Sequence, residues 1–441
     1  MANTYLTRTT GTSTLNTKCT FSGWYKRSIL GTYQHIFSVG DTSGAQLRGR
    51  FRDTDTFQLY ANITGQGEIQ YITNRKFRDT SAWYHILISI DCTQSASNRV
   101  KLYFNGIEET SFDGTTQAEI TSITLLNSQP FQIGRRAQTA DTYFDGSISH
   151  FHFIDGTAYD ASYFGSTDAT TGEWKINTSP SVTYGNNGFF ILKDGNSVTD
   201  QSPNSNNFTV GGGTLTKTED NPSNVFCTMN PLDNYWQGST FANGNNTITT
   251  SASKENYNTS TLAMPSNDAG KYYCEVKMVS ASAYTVLGLA DKLTTSATSN
   301  FKNHTYGYAL TSDSGNIINN NNSSSYGVSF TTNDIIGIAV DTDNNKLYFS
   351  KNGTWMNSGV PTSGSTGTGA ISISATTTNG YYMFASGTRH NDSLQASWNF
   401  GNGYFGTTAV SSAGTNASGN GIFEYDCPAG FTALSTKGLN L

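Results

Sequence analysis

Apolar and polar residues alternate along this chain in short runs, and one alternating unit occurs twice. Its first copy is Trp83-Tyr84-His85-Ile86-Leu87-Ile88-Ser89-Ile90-Asp91, a polar stretch, and then Lys101-Leu102-Tyr103-Phe104-Asn105-Gly106. Its second copy is Asp334-Ile335-Ile336-Gly337-Ile338-Ala339-Val340-Asp341, a polar stretch, and then Lys346-Leu347-Tyr348-Phe349-Ser350-Lys351-Asn352-Gly353. Successive side chains of a strand point to opposite faces. Tyr84, Ile86, Ile88 and Ile90 therefore share one face, and Trp83, His85 and Leu87 share the other. Asn-Gly supplies the positive φ that a tight hairpin turn requires. A strand, a loop, a return strand and a tight turn, present twice, predict two β-sandwich domains.

The same alternation predicts strands at 19–26, 35–39, 51–63, 131–134 and 144–153, with a single helical turn at 158–164 and a return strand over 188–192. No window shows apolar residues at helical spacing, so long helices are not expected. The predicted domains are 1–212 and 216–441. Gly211-Gly212-Gly213 is the linker candidate, because consecutive glycines lose the most freedom on ordering.

Composition sharpens this picture. Aromatic residues reach 12% and there are 44 glycines, a mixture of strand formers and turn formers that points to an all-β chain. At 441 residues, each half is long enough to bury its own core. A net charge of −6 with scattered Lys and Arg argues against nucleic acid as a partner, since phosphate binding needs a basic stripe. No apolar stretch approaches the roughly 20 residues of a membrane helix, so no membrane insertion is expected. The start, Met1-Ala2-Asn3-Thr4-Tyr5, lacks the apolar core of a secretory leader, so the chain is expected to act where it is made or to leave the cell by another route. Cys19, Cys92, Cys227, Cys274 and Cys427 are odd in number and contain no C-x-x-C pair, and they read as core residues. A Cys19–Cys92 bridge stays open at this level.

Ser22-Gly23-Trp24-Tyr25-Lys26, then Trp83-Tyr84-His85 leading to Gly106, then 131–135 and Phe144-Asp145-Gly146-Ser147-Ile148, resemble the laminin-G-like (concanavalin-A-like) jelly roll over most of 15–165. Gly270-Lys271-Tyr272-Tyr273-Cys274-Glu275-Val276-Lys277, Val286-Leu287-Gly288-Leu289-Ala290, Tyr306-Gly307-Tyr308 and the second repeat copy resemble a SPRY domain, with Cys274 where that family favours an aromatic residue. The first resemblance implies two stacked antiparallel sheets and a family in which many members bind carbohydrate. The second implies another sandwich of concanavalin-A-like type. Asn221-Pro222-Ser223-Asn224-Val225-Phe226, Met229-Asn230-Pro231-Leu232-Asp233 and the tail from Cys427-Pro428-Ala429-Gly430 to Leu434 resemble SPRY-containing virion proteins of tailed bacteriophages.

Such folds include glycoside hydrolases, which need two carboxylates flanking the scissile bond. Glu424-Tyr425-Asp426 has the same-face spacing of a strand, but Cys427-Pro428 follows at once, where a strand should end. Asp341-Thr342-Asp343-Asn344-Asn345 resembles the start of a calcium loop but lacks the later Gly and Glu, and reads as a polar hairpin turn. Asp41 and Asp145 are further calcium candidates, without a compelling spacing. His150 and His152 are read as sharing a strand face, where they could ligate a metal together, although packed histidines are the plainer reading. No cofactor is expected, with Ca²⁺ as the weak exception.

Recognition is what remains. Loops at 64–71, 138–143, 316–326, 357–369 and 381–391 combine Asn, Ser, Thr and Gly with tyrosines, the mixture that serves adaptable binding loops. Tyr143, Asn316, Tyr326, Tyr381, Arg389 and His390 are the ligand-binding candidates, with no catalytic residue and no metal ligand assigned. The resulting expectation is an all-β pair of tandem antiparallel jelly rolls acting as a non-enzymatic phage virion surface protein. It would be a tail-fibre or receptor-binding adhesin for a host surface glycan or protein, assembled in the host cytoplasm beside other virion proteins as a homo-oligomer such as a trimer. The alternative is a head-decoration or other structural virion protein, which the lack of any shaft favours. A polysaccharide-degrading enzyme ranks third.

Overall fold

A computed structural model describes residues 3–40, 44–193, 197–233, 238–250, 255–267, 270–293 and 300–440, except for the side chain of Asn256. The chain divides into two compact units, Met1–Lys217 and Thr218–Leu441. Each is a pair of antiparallel sheets, the jelly-roll sandwich that the alternating runs predict.

In the first unit, one sheet has eight strands in the order Phe112–Gln117, Gly67–Lys76, Thr56–Ile63, Gln46–Phe51, Gln34–Val39, Pro130–Ile133, Tyr5–Thr9 and Thr209–Gly212. The facing sheet has six, in the order Phe189–Ile191, Gly146–Asp155, Lys18–Arg27, Tyr84–Asp91, Val100–Phe104 and Ile107–Glu108. Ile86, Ile88 and Ile90 point into the core between the sheets, among Phe21, Phe37, Phe131, Phe151 and Phe189. Leu87 joins a second cluster on the outer face with Ile154, Phe164, Tyr184 and Phe190, so the predicted division of faces is observed.

In the second unit, Lys271–Ser280 lies between Gln395–Asn399 and Ile335–Asp341, and Lys346–Lys351 follows at the next position. The facing sheet is built on Tyr381–Thr388, Thr285–Ala290 and Tyr308–Thr311. Residues of the C-terminal segment, Phe423, Cys427, Phe431 and Ala433, cover the outer face of the first of these sheets with Tyr273 and Tyr348.

The duplicated unit is alike down to its hydrogen bonds. Asn105 and Gly106 have φ of 48° and 79°, and Asn352 and Gly353 have φ of 48° and 80°. These are consecutive left-handed residues of the kind a two-residue hairpin turn needs. Each asparagine also holds the strand that opens its hairpin. Asn105 Oδ1 accepts from His85 N and Asn352 Oδ1 accepts from Ile335 N, both at 2.8 Å. At the other end of the hairpin, Asp91 Oδ1 accepts from Thr93 N at 3.0 Å and Asp341 Oδ1 from Asn344 N at 2.9 Å. Lys18 reaches Asp91 at 3.0 Å, and Lys271 reaches Asp341 at 3.4 Å. Both glycines lie beneath a ring: an added Cβ would come within 2.3 Å of Trp174 at Gly106 and 2.6 Å of Tyr425 at Gly353. Asn352→Ala is therefore expected to cost the second unit about 1–2 kcal/mol, through a left-handed alanine and a lost acceptor. Urea unfolding of that unit measures it, and an unchanged midpoint would contradict the turn's role.

Several expectations are corrected. Gly211 and Gly212 are not linker: they lie in the strand Thr209–Gly212, paired with Tyr5–Thr9. Their missing side chains make room for Tyr5, whose ring would stand 2.3 Å from a Cβ at Gly211. The run 51–63 is two strands, broken by a turn in which Asp55 has φ 63°. The stretch 381–391 is mainly the core strand Tyr381–Thr388, with Tyr382, Phe384 and Ala385 fully buried. The Asn-rich segment at 316–326 contains the hairpin of Ile317–Asn319 with Asn322–Ser324, and Gly67–Lys76 takes in most of 64–71. The helical turn is present as Ala161–Tyr163, capped by Asp160 Oδ1, which accepts from Ser162 N at 2.9 Å. All five cysteines are free and buried, so Cys19 and Cys92 form no bridge.

Candidate functional site

Arg389 and His390 follow directly on the strand Tyr381–Thr388, which carries them to one end of the second unit. There Arg389 pairs with Asp313, donates to Ala283 O at 3.3 Å and lies 5.6 Å from the centre of the Tyr284 ring. His390 meets the same ring edge-on at 4.3 Å. Asn316 lies on the turn that bears Asp313 and donates to Ser323 Oγ at 3.3 Å. Arg389, His390, Asp313 and Tyr284 form one surface cluster, with Tyr284 40% exposed at its centre, while Asn316 faces the neighbouring hairpin. The sequence reading missed Tyr284 and Asp313, although Ala281-Ser282-Ala283-Tyr284, with its small and polar residues, was a visible turn signal.

The other second-unit candidates do not join the cluster. Tyr381 begins the strand, at the end opposite Arg389, roughly 25 Å away for a run of this length. Tyr326 is buried, with its ring edge-on to Phe349 and its hydroxyl accepting from Phe349 N at 3.2 Å. It is a packing residue, and this corrects its place among the ligand candidates. In the first unit, Tyr143 lies 6.3 Å from the Tyr5 ring, over which Arg135 stacks at 3.4 Å.

The second unit also has a groove of about 570 Å³ between 355–362 and 415–429. Trp355 and Pro361 form an apolar side, and the facing polar residues are tied within their own loops, Thr415 to Asp426 and Asn416 to Ser418, Asn420 and Gly421. Of the loop 357–369, Gly359, Val360, Pro361 and Thr362 therefore line one wall of the groove.

The carboxylate pair considered for hydrolysis does not have strand geometry. Glu424 and Asp426 lie in a bend, and each is occupied by a neighbouring loop. Glu424 accepts from Ser411 N at 2.6 Å and from the Ser411 hydroxyl. Asp426 accepts from Thr415 N at 2.7 Å and Thr415 Oγ1 at 2.8 Å. The whole bend is held from beneath by Glu275, whose buried carboxylate accepts from Glu424 N and Tyr425 N, both at 2.8 Å. Burial pushes the Glu275 carboxyl up to about 7, against the pull of its four donors.

The histidine pair is divided by a bulge between Ser149 and His152, with His150 at φ 49°. Both imidazoles nevertheless lie against the Phe190 ring, His150 at 5.6 Å and His152 at 3.8 Å between ring centres, so the shared side read from alternation is kept despite the bulge. His152 is stacked 3.8 Å from Phe190 and hydrogen-bonded to Tyr184 Oη at 2.9 Å. His85, also fully buried, accepts from Trp174 Nε1 at 3.1 Å and lies 2.9 Å from Ser22 Oγ, and burial lowers its pKa to about 3. Among the described residues, no three His, Cys, Asp or Glu side chains converge as a metal site. Asp41 lies outside the described residues. No helix among them is long and apolar enough to cross a membrane.

Comparison with known proteins follows the two units. Residues 1–162 match the concanavalin A-like lectin/glucanases superfamily, and residues 271–379 match the SPRY domain family. No curated protein matches the chain. Similar solved structures include the SPRY domain of human HERC1, at 15% identity over 38% of this chain and 96% of that one, with a TM-score of 0.31. A heptameric SAP-like pentraxin from Limulus polyphemus is similar at 13% identity over 48% of this chain and 88% of its own, with a TM-score of 0.32. The Ruminococcus gnavus IT-sialidase CBM40 is similar at 17% identity over 34% and 80%, with a TM-score of 0.28. The chain thus joins a first unit that matches the concanavalin A-like lectin/glucanases superfamily to a second that matches the SPRY domain, each a jelly-roll sandwich.

Proposed function

We propose that this chain is a non-enzymatic surface protein of a tailed-phage particle, an adhesin of the tail-fibre or receptor-binding class that recognises a glycan on the host surface. The observation that carries this reading is the contrast between its carboxylates and its aromatic-polar surfaces. Glu424 and Asp426 are spent on tying loops, which leaves that pair unsuited to flank a scissile bond. Trp355 lines the groove, and Tyr284, 40% exposed, stands with Arg389 and His390 as an aromatic-polar surface beyond the end of the strand Tyr381–Thr388. Recognition needs such groups and no bond cleavage. The short segments at 221–226, 229–233 and 427–434, which resemble phage virion proteins, support the particle setting. In this reading the chain is carried beside other particle proteins as a homo-oligomer.

The test is binding of the fluorescently labelled full chain to host cells. Saturable labelling that is competed by purified host surface polysaccharide, with no reducing sugar released, is the expected result. Release of reducing sugar that disappears in Glu424→Gln would make the protein a hydrolase. Labelling abolished by protease treatment of the cells, and indifferent to polysaccharide, would replace the glycan with a protein receptor.

A further inference from the structure

The outer face of the eight-stranded sheet in the first unit carries an unusual polar floor. Leu47 and Phe51 point into the core, so Gln46, Arg48 and Arg50 alternate to the opposite face. Strand pairing sets Arg48 between Ser38 and Tyr60, and Arg50 between His35 and Gln58. The guanidinium of Arg48 lies 4.7 Å over the Tyr60 ring, and that of Arg50 lies 4.5 Å over the Tyr33 ring. A loop crosses this face and brings in a third arginine. Gln138 Nε2 on that loop donates to Ala45 O at 3.2 Å, and its neighbour Arg136 donates to Gln138 Oε1 at 3.3 Å. The three arginines are close enough to act on one another. Burial first, and then Arg50 and Arg136, lower the pKa of Arg48 to about 10. Burial and the same three arginines lower that of His35 to about 3. A cluster of like charges on a chain of net charge −6 is a local arrangement, not a general property of the surface.

Several polar atoms of this floor are buried and unpartnered among the described residues. Arg48, 8% exposed, has no partner for Nε or Nη1, and Gln46 Oε1, Ser38 Oγ and His35 Nε2 have none either. The proton of Thr142 Oγ1 goes to Asp141 Oδ1 at 3.0 Å, so His35 Nδ1, 2.7 Å from that hydroxyl, must be the donor to it. His35 Nε2 is then a bare acceptor. The orphans thus include charged N–H donors and, separately, acceptors. Leaving charged donors unpaired is costly, so an anionic occupant that serves the arginines is favoured. A simple anion such as phosphate would satisfy the donors alone. A sugar ring with an attached anionic group would set its charge against the arginines and its apolar face beside Tyr33 and Tyr60, which are half-buried.

The geometry points to a subsite on this face for a saccharide bearing an anionic group, with the half-buried Arg50 and Arg136, and Arg48 behind them, facing the charge. It deepens the glycan-recognition reading above and rests on it for the choice of a saccharide.

Calorimetric titration of the full chain at physiological salt tests this, with an oligogalacturonate, its carboxyl-reduced neutral counterpart and a sulfated galactan oligosaccharide as probes. At least one acidic probe is expected to bind tenfold or more tighter than the neutral one. A preference for the uronate identifies the group as carboxylate, and a preference for the galactan identifies it as sulfate. Arg48→Gln is expected to weaken acidic binding at least tenfold. Because Arg48 is buried, the more exposed pair Arg50→Gln and Arg136→Gln provides the same test without threatening the fold. Equal affinity for acidic and neutral probes, no binding of any probe, or unchanged binding in the Arg50→Gln/Arg136→Gln chain overturns the subsite. A doubly substituted chain that keeps its acidic-probe binding, while the native chain labels host cells, overturns the subsite and leaves the adhesion reading standing. A native chain that binds acidic probes but no cells does the reverse.

Discussion

Replacing Glu275 with alanine is expected to destabilise the second unit by about 3 kcal/mol and to release its C-terminal cover first. Glu275 sits fully buried on the strand Lys271–Ser280, and its two carboxylate oxygens serve four donors. Two are the backbone N–H groups of Glu424 and Tyr425, and the others are Tyr273 Oη at 3.2 Å and Asn399 Nδ2 at 3.3 Å. Alanine leaves both backbone donors with no acceptor beneath the bend, and each such loss costs about 1–3 kcal/mol. Glutamine replaces one oxygen with an N–H₂ that faces a donor, so it is expected to recover only part of the loss.

The pH dependence has a definite sign. The Glu275 carboxyl is raised from its ordinary 4.5 to about 7 by burial, so the folded state binds its proton more tightly than the unfolded chain does. Its contribution to stability is complete below about pH 4.5 and is lost as pH rises through about 7, on the order of 3 kcal/mol across that window. The native second unit should therefore weaken between pH 5 and 8, and the alanine variant should lack that slope. Hydrogen exchange of the amides in 422–433 at the two pH values measures both effects. Equal protection in the native and alanine chains would remove Glu275 from the account.

Asp55→Ala is expected to be as damaging to the first unit, at about 3–5 kcal/mol. The Arg27 side chain is 0% exposed, with Nη2 3.2 Å from Asp55 Oδ1, Nη1 donating to Phe77 O at 2.6 Å and its guanidinium 4.7 Å over Phe51. Asp55 also accepts from Gly31 N at 2.9 Å and pairs with Arg78 at 3.2 Å. Removing it leaves a buried guanidinium without its counter-charge, which is far worse than never having buried the pair. Asp55 also occupies the left-handed region at φ 63°, which costs alanine more than aspartate. Asn at 55 should keep the turn and lose the charge, and Arg27→Met combined with Asp55→Asn should regain stability relative to Asp55→Asn alone. Denaturant unfolding of the four chains gives the comparison. An Asp55→Ala midpoint within error of the native one would contradict the assignment of a buried ion pair.

What the sequence revealed, and what it hid, follows from the reach of each interaction. The doubled hairpin was legible because its causes are local: Asn105 and Asn352 set the turn and hold a strand 20 and 17 residues away. The division of faces around Ile86 and Leu87 was legible because a strand's period is fixed by its covalent geometry. The bulge at His150 shifts that period by one residue, and no alternation rule can see such a shift in advance. Tyr326 looked like a loop tyrosine because its segment is polar, yet its ring packs into the core against Phe349. The glycines at 211 and 212 had the composition of a linker, and only the Tyr5 ring explains them. The arginine floor was hidden for a related reason. Gln46-Leu47-Arg48-Gly49-Arg50 shows a polar face at period two, but Arg136 reaches it through a loop that composition alone could not place.

Immunogold labelling of the intact particle, with the copy number counted by quantitative mass spectrometry, tests the proposed role most directly. The account predicts label at the distal end of the tail, in a small number of copies set by the symmetry of a fibre or tip. Label spread over the capsid at stoichiometric copy number, or a particle without the chain, would contradict it.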